Sequence, residues 1–418
     1  MTFREFCEHS EQYVVEIMNG RRRTIYDRAF RGFLFCLSRI YRNVVQLRLT
    51  LYRERVIRQR MLGCFVVSVG NLTVGGTGKT PVVEVFARTL SAKGRKVAIL
   101  SRGYRSTPRP LWARLLSIFV SDYKSMPPRV VSDGKHLLMD SALAGDEPFM
   151  LASNLKNVAV VVDKDRVKGG LYAIRELGAD TLLLDDGFQY LRLKPTVSIL
   201  LVDSTNPFHN HHPLPRGLLR EPIKNLRRAD FIFLTKSSGG SHLRHLKRFI
   251  RKHNSKAEII ECTHRPKHLQ DVYTEERSPL TTLAGRKVSA ISGIAVPEGF
   301  EKFLREHGAD LVYAERYADH HRYRQQEIID FVNCSQAAGA DMIVTTEKDA
   351  VRFPRLERRD VPVYFLRVEI DILSGEESFN ECISRICFAN PTTQARANSL
   401  PEKAAARLPD GHSLARIQ

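Results

Sequence analysis

Short runs of apolar residues alternate with helical segments along most of this 418-residue chain. Most of the runs are nearly continuous, which is typical of parallel strands that are covered on both faces. The predicted strands are Cys64–Val69, Val97–Leu100, Val158–Val162, Thr181–Leu184, Val197–Val202, Phe231–Leu234, Glu258–Cys262, Val288–Ile291, Met342–Val344 and Val361–Leu366. Helical patterns such as Pro81–Lys93 and Pro297–His307 lie between them, so the chain is predicted to have an α/β fold.

The N-terminal region has a different, helical pattern. Its longest uncharged run, Gly32–Ser38, is far shorter than the ~20 residues that span a bilayer. We therefore predict an amphipathic helix rather than a transmembrane helix, and no signal peptide. The apolar face consists of Phe30, Phe33, Leu34, Leu37, Ile40, Tyr41, Val44, Leu47 and Leu51.

This helix is also the most basic part of the chain. Between Arg21 and Arg60, 12 arginines stand against Asp27 and Glu54, in a protein whose formal net charge is +19. Such a helix can lie in an anionic membrane interface, or it can pack on the main domain with a solvated basic face. Both interpretations stay open. No nucleic-acid recognition motif accompanies the charge, so we expect no nucleic-acid partner.

The pattern divides the chain into four regions. The polar stretch Arg265–Thr282 suggests a domain boundary, and the seven scattered cysteines favour a reducing compartment. An insertion at 104–142, with the apolar island Leu111–Val120, is either a lid or membrane-touching loop or a simple surface insertion. The predicted regions are the basic helix (1–60), a core lobe (61–282), a smaller α/β lobe (283–387) and a disordered tail (388–418).

The strongest chemical signal is a glycine-rich loop between the first predicted strand and the following helix. Its backbone N–H groups are suited to cradle phosphates, Lys79 to reach the β and γ phosphates, and Thr80 to ligate Mg²⁺. Thr73 stands where the standard P-loop pattern has glycine. The predicted nucleotide-binding residues are Gly75, Gly76, Thr77, Gly78, Lys79 and Thr80.

Two adjacent acids end the strand Thr181–Leu184. A P-loop needs a second metal ligand at the end of a neighbouring strand, and Asp185 or Asp186 can supply it directly or through water. The alternative is a solvated turn, because Asp-Asp-Gly is also good turn chemistry. Beside a P-loop we favour the metal role.

Seven short motifs follow one another along the chain: VGNLTVGGTGKTP, SRGY, GDEP, DDGFQ, LPRGLLREP, ADHH and TEKDAVR. Together they resemble the tetraacyldisaccharide 4′-kinase family of the lipid A pathway in Gram-negative bacteria. They cover about residues 30–355 in the family's order, and the family's loop has the same non-standard start at Thr73.

The resemblance implies a reaction, a fold and a location. The expected reaction transfers the γ-phosphate of ATP, with Mg²⁺, to the 4′-hydroxyl of a tetraacyldisaccharide 1-phosphate and gives lipid IVA. The expected fold is a P-loop NTPase-like α/β/α core with a second, smaller α/β lobe and a hinge between them. The enzyme is expected at the cytoplasmic face of the inner membrane, held peripherally by the basic helix, with a monomer as the expected state.

The resemblance also assigns residues. Asp146 of GDEP and His320 of ADHH become a catalytic dyad in which the carboxylate accepts the hydroxyl proton, with Lys79 assisting at the phosphates. Glu221 joins the metal set. Candidates for contact with the acceptor are Arg102, Tyr104, Gln189 and Arg216.

Two other functions are consistent with a P-loop and a basic N-terminal region. One is an ATPase or GTPase that binds nucleic acid or a membrane through that region. The other is a membrane scaffold with a degenerate nucleotide site. The seven ordered motifs favour the kinase over both.

Overall fold

The computed structural model describes residues 13–14, 16–18, 24–103, 127–319, 321–354 and 360–388. Thirteen strands within these ranges join into one sheet. They are β1 (Phe65–Asn71), β2 (Val97–Ser101), β3 (Arg129–Asp133), β4 (Val158–Val162), β5 (Thr181–Asp185), β6 (Val197–Asp203), β7 (Phe231–Thr235), β8 (Glu258–Asp271), β9 (Arg277–Ser278), β10 (Lys287–Ser292), β11 (Asp310–Arg316), β12 (Met342–Thr346) and β13 (Val363–Ser374).

Helices cover both faces of this sheet. They are α1 (Ile25–Arg53), α2 (Lys79–Ala92), α3 (Ser141–Ala144), α4 (Asp146–Asn154), α5 (Arg166–Glu176), α6 (Ser241–His253), α7 (Pro297–Glu306), α8 (Gln325–Ala337), α9 (Glu347–Ala350) and α10 (Glu376–Phe388), with 3₁₀ turns at Ile223–Arg228 and Leu280–Leu283. Within the described ranges, none of the helices is long and apolar enough to cross a membrane.

The sheet consists of two blocks of parallel strands, with β3 paired antiparallel to β4 at one edge. Its order is β11-β10-β12-β13-β8-β7-β6-β1-β5-β2-β4-β3, with β9 beside β8. We call β1–β7 and their helices the first lobe, and β10–β12 with α7–α9 the second lobe. Strands β8 and β13 pair antiparallel from Glu261 to Asp271 and join the two lobes. The chain crosses between the lobes on these two strands.

Each lobe has its own buried core. In the second lobe, α7 contributes Phe300 to one face of the sheet and α8 contributes Phe331 to the other. In the first lobe, the ring of Phe86 on α2 lies 5.1 Å from that of Phe379 on α10. Helix α10 therefore packs on the first lobe although it follows β13 in the chain.

The predicted α/β fold is confirmed, and all ten predicted strands are present, nine of them with shifted ends and Val158–Val162 with the predicted bounds. The pattern missed β3, β9 and β11. Strands β3 and β11 form the two edges of the sheet and are only partly buried, so they lack a continuous apolar run. The first part of the polar stretch Arg265–Thr282 belongs to strand β8, which continues to Asp271.

The expected insertion at 104–142 is only partly an excursion from the core, because residues 129–133 form the edge strand β3 against β4. The apolar island Leu111–Val120 and residues 389–418 of the expected tail lie outside the described residues.

Strand β8 lies against the glycine-rich loop at one point. Gly78 has a φ of +76°, and a Cβ atom there would lie 2.5 Å from the Cε1 atom of His264 on β8. Gly76, two residues earlier, has no heavy atom within 4 Å of such a Cβ and no positive φ. Backbone conformation and packing thus both require glycine at position 78.

We expect Gly78→Ala to lower the free energy of unfolding by roughly 1–3 kcal/mol, through an unfavourable φ and overlap with His264. Gly76→Ala is the matched control, with an expected change within about 0.5 kcal/mol. Denaturant unfolding without nucleotide measures both. Equal stability of the two variants would contradict the strain assigned to position 78.

Candidate active site

The glycine-rich loop connects β1 to α2 and is fixed by the ends of neighbouring strands. Helix α2 begins at Lys79, after Gly78 in its left-handed conformation. The Asn71 side chain at the end of β1 donates to Thr77 Oγ1 at 3.0 Å. Thr235 at the end of β7 donates to the Thr77 carbonyl at 2.8 Å. The loop is therefore preformed, with backbone amides ahead of a helix N-terminus, as phosphate binding requires.

A second loop, LPRGLLREP, flanks the start of the glycine-rich loop. The Val74 amide donates to the Leu218 carbonyl at 2.7 Å, and Thr73 forms an antiparallel bridge with Leu219. Position 73 thus has extended, strand-like pairing, which suits a β-branched residue. This pairing explains why threonine is accommodated where the standard pattern has glycine.

Asp185 ends β5 beside the loop and is buried. Its Oδ2 accepts from Ser101 Oγ at 3.1 Å, and Oδ1 is buried with no hydrogen-bond partner among the described residues. Burial, with the nearby charges of Glu147 and Asp186, raises the pKa of Asp185. An unpartnered buried carboxylate oxygen next to a P-loop fits a divalent cation.

Asp186 has a different environment. Arg220 NH1 donates to both of its oxygens at 2.9 and 2.8 Å, and Lys79 Nζ lies 3.7 Å from Oδ1. Burial alone would raise the pKa of Asp186, but Lys79 and Arg220 offset it and hold the pKa below its usual range. The two adjacent acids are thus distinct, one unpartnered at Oδ1 and one paired with cations.

Three other predicted site residues make structural contacts. Both oxygens of Glu221 are engaged by its own segment, Oε2 by Asn225 at 2.8 Å and Oε1 by Arg228 at 3.1 Å. The Gln189 amide donates to the Asn71 carbonyl at 2.9 Å, and Arg216 donates to the Met18 carbonyl at 2.6 Å. In the structure, Glu221, Gln189 and Arg216 thus all form hydrogen bonds with neighbouring protein groups.

Asp146, the predicted base, is the first residue of α4 and is 7% exposed. Its Oδ2 accepts from Arg352 Nε at 2.9 Å, and its Oδ1 lies 3.7 Å from Arg322 NH2. Its neighbour Glu147 contributes to the field at Asp185, so this end of α4 belongs to the same site.

Two predicted residues, His320 and Tyr104, lie outside the described residues. Of the described residues that follow His320, Arg322 lies 3.7 Å from Asp146 Oδ1 through NH2. His321 instead lies 2.9 Å from Glu327 through Nε2. Arg102 is exposed and immediately follows β2.

Several site residues carry no motif signal of their own. Lys236 Nζ donates to the Gly76 carbonyl at 3.0 Å and pairs with Asp203 at 2.6 Å. His264 lies over Gly78, where burial and the charge of Lys236 lower its pKa to about 4, so the ring is neutral. Both residues follow or continue predicted strands of the parallel block, and that position is the signal that could have found them.

Comparison with known proteins agrees with this geometry. The family model described as tetraacyldisaccharide-1-P 4′-kinase (LpxK) matches residues 30–387. A protein named tetraacyldisaccharide 4′-kinase from Halothermothrix orenii is 32% identical, over 87% of this chain and 94% of its own length. One of the same name from Pelobacter propionicus is 38% identical, over 82% of this chain and 88% of its own length.

A solved structure is similar as well. The crystal structure titled "apo" form LpxK from Aquifex aeolicus in complex with ATP has a TM-score of 0.66 and 28% identity, covering 86% of this chain and 100% of that chain. The resemblance noted from the motifs and the predicted kinase are thereby confirmed. The chain belongs to the tetraacyldisaccharide-1-P 4′-kinase family.

Proposed function

We propose that this chain transfers the γ-phosphate of ATP to the 4′-hydroxyl of a tetraacyldisaccharide 1-phosphate and releases lipid IVA. The observation that carries the proposal is that phosphate-binding, metal-binding and proton-accepting groups occur together. The preformed phosphate loop, the unpartnered Asp185 oxygen and the carboxylate of Asp146 belong to one contiguous site in a chain of this family. Family membership disfavours the alternative of a nucleic-acid-stimulated ATPase.

The backbone amides of Gly75, Gly76, Thr77 and Gly78 would hold the phosphates of ATP at the N-terminus of α2. Lys79 would neutralise the charge that develops on the γ-phosphate, and its 3.7 Å contact with Asp186 orients its ammonium in the absence of nucleotide. Residues Asn71, Thr235 and Lys236 keep the loop in shape through side-chain hydrogen bonds.

Thr80 and Asp185 would hold Mg²⁺, with Asp186 in a supporting position beside Lys79. The buried, unpartnered Oδ1 of Asp185 supports this assignment, because a carboxylate oxygen is the ligand that Mg²⁺ prefers. Bound there, the cation would neutralise charge on the β and γ phosphates. Glu221, whose oxygens accept hydrogen bonds from Asn225 and Arg228, is a further proposed member of the metal set.

Asp146 would accept the proton of the acceptor hydroxyl as the new P–O bond forms. His320 would orient this carboxylate, and the 3.7 Å contact between Arg322 and Asp146 supports a position of the His320 segment next to it. For the acceptor's own phosphate we propose Arg102, which is exposed and follows β2. Tyr104 is its proposed companion, whereas Gln189 and Arg216 support the surrounding loops.

Helix α1 would bring the enzyme to the membrane that contains its acceptor. One side of the helix is attached to the first lobe, where Ser38 donates to the Pro213 carbonyl at 2.9 Å and Tyr41 to the Arg220 carbonyl at 2.9 Å. The opposite side exposes large apolar side chains, which are 56–82% exposed. They are Tyr26, Phe33, Ile40, Val44 and Leu47. A helix that is both packed and apolar outside suits an interfacial anchor.

The remaining expectations follow as proposals. Because the site uses ATP, the anchored surface would be the cytoplasmic face of the inner membrane. The hinge between the two lobes would lie at β8 and β13, whose antiparallel pairing is the connection between the parallel blocks. For the oligomeric state we propose a monomer.

Lys79→Ala and Asp146→Asn are expected to lose most transfer of labelled γ-phosphate to a tetraacyldisaccharide 1-phosphate in mixed micelles. The loss should be on the order of 10²–10⁴-fold for Asp146→Asn, as for removal of a general base, and similar for Lys79→Ala. Lys93→Ala, at the other end of α2, is the control and should keep full activity. Full activity of Asp146→Asn would refute the proposed base.

The membrane role of α1 is tested by replacing Phe33, Ile40 and Leu47 with serine. Each substitution removes apolar surface that would be buried in the membrane, so it should weaken binding to anionic vesicles by roughly tenfold. Activity on detergent-dispersed acceptor should stay within about twofold of the unsubstituted enzyme. Serine at Val296 and Leu373, which are 64% and 45% exposed elsewhere, is the control and should not affect binding. Unchanged vesicle binding of the α1 variant would show that the helix is only structural.

A further inference from the structure

The carboxylate of Asp146 is held by a side chain from the other lobe. Arg352 follows α9 in the second lobe, and its Nε donates to Asp146 Oδ2 at 2.9 Å. The Arg352 side chain is 1% exposed and that of Asp146 is 8% exposed. A charge-assisted hydrogen bond at such a buried position is strong and directional. It fixes rotation of the carboxylate about its bond to Cβ.

Arg352 is itself held in place from the second lobe. Its NH1 donates to Asp349 Oδ1 at 3.1 Å and lies 3.4 Å from the Gly293 carbonyl. Asp349 is completely buried and also accepts from the Tyr323 hydroxyl at 3.0 Å. These contacts fix the guanidinium relative to the second lobe, so it moves only when that lobe moves.

Helix α9 and the residues next to it contact both ends of α4. At the N-terminal end, Lys348 Nζ lies 3.6 Å from Glu147 Oε1, next to the Arg352–Asp146 pair. At the C-terminal end, Asn154 donates to Glu347. The TEKDAVR motif thus joins the lobes directly at the helix that presents Asp146. These contacts add to the β8–β13 connection between the lobes.

We propose that Arg352 is a positioning residue for phosphoryl transfer, which sets the orientation of Asp146 when the second lobe is seated on α4. The inference rests on the proposed role of Asp146 as base. Arg352 binds Oδ2, and its side chain is only 1% exposed, so it would act through the carboxylate. Displacement of the second lobe would release Oδ2 and leave the base misaligned. The geometry thereby couples the lobe arrangement to the chemical step.

The first test is the kinetics of Arg352→Met and Arg352→Lys in the full-length enzyme, with labelled ATP and acceptor in mixed micelles. Arg352→Met should lower kcat by roughly 10–100-fold, as for a misplaced reacting group, with KM for ATP within about twofold. Arg352→Lys keeps the positive charge but not the planar, forked donors of the guanidinium. It should therefore recover at least about half of the loss in kcat, measured on a logarithmic scale. Arg305→Met, at a 56% exposed position of the second lobe, is the control.

The second test distinguishes positioning from simple structural support. In an Asp146→Asn background, measured by single-turnover transfer, Arg352→Met should cause no further loss, because the residue acts through the carboxylate that is already absent. An equal further loss would overturn the proposal, as would full activity of Arg352→Met alone. If Arg352→Met does not fold, Asp349→Asn, which removes the charge that holds Arg352, replaces it in both tests.

The outcomes separate this inference from the proposed function. Full activity of Asp146→Asn would remove the base and the positioning role together. Loss of activity in Asp146→Asn with full activity in folded Arg352→Met would remove only the positioning role. Loss in both, without additivity, supports both.

Discussion

The antiparallel pairing of β8 with β13 is the constraint on which the site depends. It joins two parallel blocks into one sheet and sets the second lobe beside the first. Only with that arrangement can Arg352, on the second lobe, reach Asp146 on α4 of the first. The two residues are more than two hundred positions apart in the chain, so no local pattern could bring them together.

Buried charge is concentrated at the same junction. Arg367 on β13 pairs with Glu84 on α2 and with Glu347 at the start of α9. Burying such groups costs several kcal/mol each unless every one has partners, and removing a single partner leaves an uncompensated charge. Any other arrangement of the two lobes would leave a buried charge unpaired, so the junction favours this arrangement. This specificity suits a device that aligns a catalytic carboxylate, since small displacements of a reacting group reduce the rate strongly.

The sequence was informative where one element carries the whole signal. Continuous apolar runs predicted ten strands, and the glycine-rich loop predicted a phosphate site whose backbone is as expected at Gly78. Edge strands such as β3 and β11 lack a continuous apolar run because they are only partly buried. For the same reason the sequence predicts only the first part of β8, as far as Cys262, and not its polar part up to Asp271. Glu221 has a charge suited to metal binding, but its partners Asn225 and Arg228 come from the same short segment. The sequence shows Arg352 only as the last residue of the TEKDAVR motif. Its role could not be predicted, because its partner Asp146 is distant in the chain and close only in the folded structure.

The most direct measurement is a crystal structure of the enzyme with a non-hydrolysable ATP analogue, Mg²⁺ and the tetraacyldisaccharide 1-phosphate. We expect the acceptor 4′-hydroxyl within hydrogen-bond distance of Asp146 and in line with the γ-phosphate held by the glycine-rich loop. We also expect Arg352 still to donate to the other oxygen of that carboxylate. A 4′-hydroxyl bound to another residue, with Asp146 turned away from it, would refute the role of Asp146 as the base.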